Sequence, residues 1–145
     1  MTLDTFSLHE QLARDTIRLG SWPLCEVLLM NDSQYPWLIL VPRRSGLREI
    51  YELDDADLQQ FMRESCWLGQ RLMAEFDGDK LNVAALGNQV PQLHVHHIVR
   101  FRDDAAWPAP IWGKFPATAY APEAMSAICE RLAAVVDAFP NGTSC

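Results

Sequence analysis

The chain has 145 residues, of which 49% are hydrophobic and 21% charged. That is enough for one domain with its own core, without disulfide or metal staples. The formal net charge of −7 gives no global attraction for a nucleic acid polymer or an anionic membrane, although local donors can still bind a small phosphate ligand.

The N-terminus, "MTLDTFSLHEQL", is acidic and amphipathic, with no apolar run, and reads as no signal peptide. Residues 4–19 read as a helix with Leu8, Leu12 and Leu19 near one face and Gly20 suited to its end. "CEVLLMN" and "WLILVP" are rich in strand formers, and "NDSQYP" between them carries the turn residues Asn31, Asp32, Ser33 and Pro36. The pair predicts an antiparallel hairpin.

Residues 55–76 form the clearest helical stripe, through Leu58, Phe61, Met62, Leu68, Leu72 and Phe76. Asp54 is the expected N-cap, and Gly78 is expected to stop the helix by taking positive φ. "KLNVAAL" and "QLHVHHIVRF" follow as strands. Residues 103–120 hold Pro108, Pro110, Pro116, Trp107 and Trp112 and read as irregular. Pro122 suits a helix start, and Met125, Ile128, Cys129, Leu132, Val136 and Phe139 mark a last amphipathic helix. The prediction is one α+β domain over residues 1–145: an antiparallel sheet with helices packed on one face.

Cys25, Cys66, Cys129 and Cys145 are far apart, with no C-x-x-C pair. They read as reduced thiols in a cytoplasmic protein rather than a disulfide framework or a thiolate zinc site. "NGT" at Asn141 matches a glycosylation sequon but means little in such a chain. No run approaches a membrane span.

The stretch "NQVPQLHVHHIVRF" holds three of the four histidines. On a strand Gln92, His94, His96 and Ile98 share one face, while Leu93, Val95, His97 and Val99 share the other. The second face is mostly apolar and should pack under a helix; the first should line an open surface. His94 and His96 then stand side by side, roughly 6.5–7 Å apart at their α-carbons. Three readings fit such a pair. It can seed a metal site, though His9 is remote in sequence and no Glu follows at a useful spacing. It can work on a phosphate ester, one imidazole attacking phosphorus while the next donates to the oxyanions. Or it can cap the edge of a core. His97, on the other face, is expected to be a half-buried or rim residue with a local hydrogen bond.

"GNQVPQLHVHHIVR" resembles the signature of the histidine triad (HIT) superfamily, G-Q-S/T-V-x-H-x-H-x-H-x-x-x-R. Gly87 meets the Gly, Val90 the Val and Arg100 the Arg. Gln92 takes the first His position, His94 the second and His96 the third. The alternative register, with His94 first, misplaces Val90 and Arg100. "LILVPRR" resembles the family's apolar strand ending in Pro and basic residues, and "AAWPAPIWG" the Trp-Pro tail of some members. The likeness covers residues 22–113 and is similar to bacterial HIT-like proteins with Q-x-H-x-H.

The resemblance implies a HIT-like α+β fold with an antiparallel sheet of about five strands, and a homodimer whose sheets join across a two-fold axis. It implies a hydrolase or transferase acting at a nucleotide α-phosphate, on a phosphoramidate or a dinucleoside polyphosphate, with no cofactor or metal. His94 becomes the nucleophile and His96 the group that holds the phosphoryl oxygens. Gln92 can orient His94 but cannot titrate. Many members carry a His near Trp37 and another near Ser45, and both are missing here. Asn88 and Gln89 replace the motif's Gln and hydroxyl residue, and their amides can still donate to phosphate. Asn31 and Asp32 correspond to a region that contacts ribose hydroxyls, or are plain turn residues. Asn82 can reach a phosphate or a supporting group, or is structural. Arg43 and Arg44 read as solvated surface. Trp107 and Trp112 stack on a base, seal a dimer contact or pack locally. The alternatives to the enzyme are a catalytically weak nucleotide-binding module and a metal-dependent enzyme built on His94 and His96.

Overall fold

The computed structural model describes residues 5–140. Nine elements follow in order: helix α1 (Glu10–Asp15), strands β1 (Thr16–Ser21), β2 (Cys25–Met30) and β3 (Trp37–Pro42), a 3₁₀ turn (Ile50–Glu52), helix α2 (Asp55–Phe76), strands β4 (Lys80–Ala84) and β5 (Val95–Arg100), and helix α3 (Pro122–Asp137). The five strands form one antiparallel sheet in the order β1-β2-β3-β5-β4. The expected α+β class with a sheet of about five strands is therefore found. No helix among the described residues is long and apolar enough to cross a membrane.

The N-terminal helix is a correction. Residues 4–19 do not run as one helix: α1 is a single short stretch, and the chain turns extended at Thr16 to become edge strand β1. Thr16 and Ile17 are β-branched and pair with Met30 and Leu29, so sheet pairing overrides the leucine spacing. Gly20 lies in β1, where an added Cβ would sit 2.9 Å from Val136 of α3. It permits close packing and ends no helix.

The hairpin and α2 match their expected bounds, and Asp54 caps α2 by accepting from the Asp57 amide. The stop differs in detail. Asp77 takes the left-handed conformation (φ 51°), while Gly78 is small because a Cβ there would run into Val99 and Met73.

β3 is apolar throughout and β2 is apolar but for Glu26, which pairs with Arg18 of β1, because both faces of the sheet are covered. On one face Val27, Leu29, Leu38, Leu40, Val95 and Val99 pack against Leu68 and Leu72 of α2 and Leu132 and Val136 of α3. Each fully buried leucine contributes roughly 2 kcal/mol. On the other face Leu28, Trp37, Ile39, Val41 and Ile98 meet Leu12 of α1 and Ala106 and Ile111 of the irregular tail. The two long helices thus share one face as expected. The histidine face is not open sheet: α1 and the Trp-Pro tail roof it and leave a hollow.

Arg100 staples that tail. Its guanidinium forks onto Asp104 at 2.8 and 3.0 Å, both side chains almost fully buried, and Asp104 also accepts from the Phe101, Ala106 and Trp107 amides. Tyr35 and Trp107 flank the cation. The motif's arginine is thus a structural anchor for the loop that carries Trp112. The sequon at Asn141 and Cys145 lie outside the described residues.

Candidate active site

The strand begins at Val95, so His94 stands one residue before it and His96 within it. The alternation nevertheless holds across the boundary: the two rings lie 5.0 Å apart, nearly perpendicular, at the floor of a cavity of about 380 Å³. A hollow of that size is within the range of small-molecule sites. Both side chains are largely buried, at 7% and 4% exposure, so the pair meets solvent through the cavity rather than on an open face.

The ring nitrogens are held differently. His94 Nδ1 is 2.7 Å from the Gln92 carbonyl oxygen. A carbonyl only accepts, so the proton sits on Nδ1, and in the neutral ring Nε2 carries the lone pair. His96 Nδ1 accepts from the Trp37 indole N–H at 2.9 Å, and Trp112 packs edge-on against the same ring at 5.3 Å. Burial, with His94 and His97 close by, pushes the His96 pKa down to about 3.

His97 corrects the expectation of a rim residue. It is wholly buried on the opposite face, donates from Nδ1 to the Val95 carbonyl at 3.1 Å and accepts from Ser65 of α2 at 2.7 Å. Burial lowers its pKa to about 4.

Gln92 is near His94, but its side-chain bonds run to the N-terminal segment. Oε1 accepts from the His9 amide at 2.8 Å, and Nε2 donates to the Ser7 carbonyl at 2.9 Å. Its carbonyl orients His94; its amide group clips the lead-in to α1 against the histidine segment.

Of the other expected contacts, Asn88 and Gln89 line the cavity from the exposed loop after β4, where Gly87 takes positive φ (72°). Asn31, Asp32 and Asn82 do not. The Asn31 side chain accepts from the Tyr120 amide, and Asp32 accepts from the Gln34 and Thr118 amides, so they tie the hairpin turn to the tail. The Asn82 oxygen accepts from Arg100. Arg44 pairs with Asp57, and Arg43 donates to the Pro23 carbonyl.

Sequence reasoning missed the α1 wall. Gln11 and Asp15 line the cavity with Met30 and Trp37, and Gln11 donates to Asp15 at 2.8 Å. Reading 4–19 as one helix hid them, since no local pattern places that segment over the histidines. The resemblance marks the Trp37 position, but its contact with His96 follows from pairing: Ile39 faces His96, which sets Trp37 diagonally beside it on the same face. Among the described residues no three His, Cys, Asp or Glu gather as a metal-ion cluster; His94 and His96 stand as a pair.

The HIT domain model matches residues 12–103. A histidine triad protein from Marinobacter aquaeolei VT8 is 54% identical, covering 91% of this chain and 96% of its own, with a TM-score of 0.89. One from Bradyrhizobium japonicum is 46% identical over 88% and 95%, TM-score 0.85. One from Sinorhizobium meliloti 1021 is 39% identical over 92% and 96%, TM-score 0.86. Among curated proteins none matches. The motif, the sheet and the paired imidazoles agree with these likenesses over most of the chain, and the protein belongs to the histidine triad family.

Proposed function

We propose that the protein is a nucleotidyl hydrolase or transferase that works through a nucleotidyl-histidine. The observation that carries the reading is the pair of rings at the cavity floor, with His94 Nδ1 committed to the Gln92 carbonyl and Nε2 left as a lone pair. His94 Nε2 attacks the α-phosphorus of a bound nucleotide. A P–N bond forms, the bond to the leaving group breaks, and water or another acceptor then cleaves the P–N bond and restores the imidazole. His96 donates to a phosphoryl oxygen as charge builds there. Asn88 and Gln89, on the loop beside the rings, supply further amide donors. The pair needs no third ligand for this chemistry, so neither metal nor cofactor enters it.

Among the described residues none of the cavity's lining side chains is lysine or arginine, and Asp15 adds a carboxylate. A phosphoramidate, with one phosphorus to neutralise, therefore suits it better than a dinucleoside polyphosphate. A homodimer belongs to the same proposal: β4 ends the sheet, and Val83 on it and Leu86 beyond it are about half exposed. So does a cytoplasmic setting, supported by the widely spaced cysteines.

The test is turnover of an adenosine 5′-phosphoramidate and of diadenosine tetraphosphate by the wild type and by His94→Ala. The proposal requires turnover that is lost in the variant. A second reading, a nucleotide-binding module of weak activity, rests on Gln92 standing in the first triad position with its amide spent on the N-terminal segment. Nucleotide binding without turnover in the wild type would establish it.

A further inference from the structure

We propose that Trp37 is a positioning residue that holds His96 in one tautomer, bare at Nδ1 and protonated at Nε2, so that the ring always offers a donor to the cavity. The inference rests on the reading of His96 as the oxyanion donor, but its own evidence is separate.

An indole N–H donates and never accepts. Trp37 Nε1 lies 2.9 Å from His96 Nδ1, so Nδ1 must be bare to receive it. The neutral ring then carries its proton on Nε2. A proton on Nδ1, as in the imidazolium or the other tautomer, would set N–H against N–H and abolish the bond. At a buried site that leaves two donors unsatisfied. Trp37 is 8% exposed and His96 4%, so little water is available to replace the lost partner. The indole is itself held: Trp37 opens β3, pairs across from Ile98, and meets Trp112 edge-on at 6.4 Å. Trp112 also closes on the His96 ring.

Among the described residues the titratable groups around His96 are few. His94 shares its cavity face, Asp15 lines the same cavity from α1, and His97 lies on the opposite face of the strand. Trp37 of β3 and Trp112 of the tail carry no titratable group. The tautomer therefore follows from the single donor bond. Packing alone would leave the ring free to choose either nitrogen. The two histidines end up complementary, His94 with its lone pair at Nε2 and His96 with a proton there.

The experiment is long-range ¹H–¹⁵N correlation of the histidine rings in the intact wild-type protein from pH 5 to 8. The expected spectrum shows His96 neutral throughout, with protonated Nε2 and bare Nδ1. A proton on Nδ1, a mixture of tautomers or an imidazolium in that range overturns the inference, whether or not any variant folds. Trp37→Phe then keeps an aromatic ring and deletes the donor. It should mix the His96 tautomers, raise the pH at which the ring protonates, and lower kcat about ten-fold or more with little change in KM. A Trp37→Phe protein that is merely less stable, with the His96 spectrum and kcat unchanged, assigns Trp37 to packing and overturns the inference. Loss of all nucleotidyl turnover in the wild type would instead remove the proposed function and leave the tautomer result standing by itself.

Discussion

Within four residues three imidazoles meet three different surroundings, and burial decides how they respond to acid. His96 and His97 are held neutral in the folded chain, with pKa values of about 3 and about 4, against roughly 6.5 when unfolded. Their contribution is thus fully present above pH 6.5. As pH falls below that, the unfolded chain takes up protons that the folded chain refuses, and stability drops until the folded values are reached. Each ring alone gives a slope of up to about 1.4 kcal/mol per pH unit. The urea midpoint should fall steadily from pH 6.5 to pH 4, and His97→Gln should flatten that fall. An unchanged slope in the variant would show that His97 is not the neutral buried ring described here. Alternation along the strand was enough to place His97 opposite His94 and His96. Its depth was not legible, because that depends on Ser65 from a helix some thirty residues away.

Among the elements, α1 and the segment before it changed most between sequence and structure. Leucines at 8, 12 and 19 satisfy a helical period, yet only Leu12 is buried within α1, and the chain after Asp15 joins the sheet. Local spacing could not show that β2 needed an edge partner there. By contrast α2 was legible to the residue, because its stripe, its Asp54 cap and its acidic first turn all agree. The consequence for function lies in Gln92, which fastens residues 7 and 9 beside the histidines. Gln92→Ala should cost about 1 kcal/mol, speed amide exchange in α1 and raise KM, because Gln11 and Asp15 would no longer be held over the cavity. Gln92→Ala with α1 exchange and KM unaltered would show that the clip is idle.

For the molecule as a whole, the order β1-β2-β3-β5-β4 leaves β4 as an edge beside the site's own loop. Sedimentation should find a dimer, and Val83→Lys, which places a charge on that exposed edge position, should shift it toward monomer. A dimer unmoved by this change would place the contact elsewhere. The sheet, the two long helices and the histidine pair could be read from pattern and motif. The roof could not, since the tail and α1 meet over the site only through tertiary contacts such as the Arg100–Asp104 staple and the Gln92 clip. The central claim is chemical: His94 takes the nucleotidyl group. Intact-mass measurement of the protein quenched during turnover of an adenosine phosphoramidate tests it most directly. The account predicts one added adenylyl mass, mapping to the peptide that contains His94 and missing in His94→Ala. An adduct on another residue, or full turnover by the variant, would contradict it.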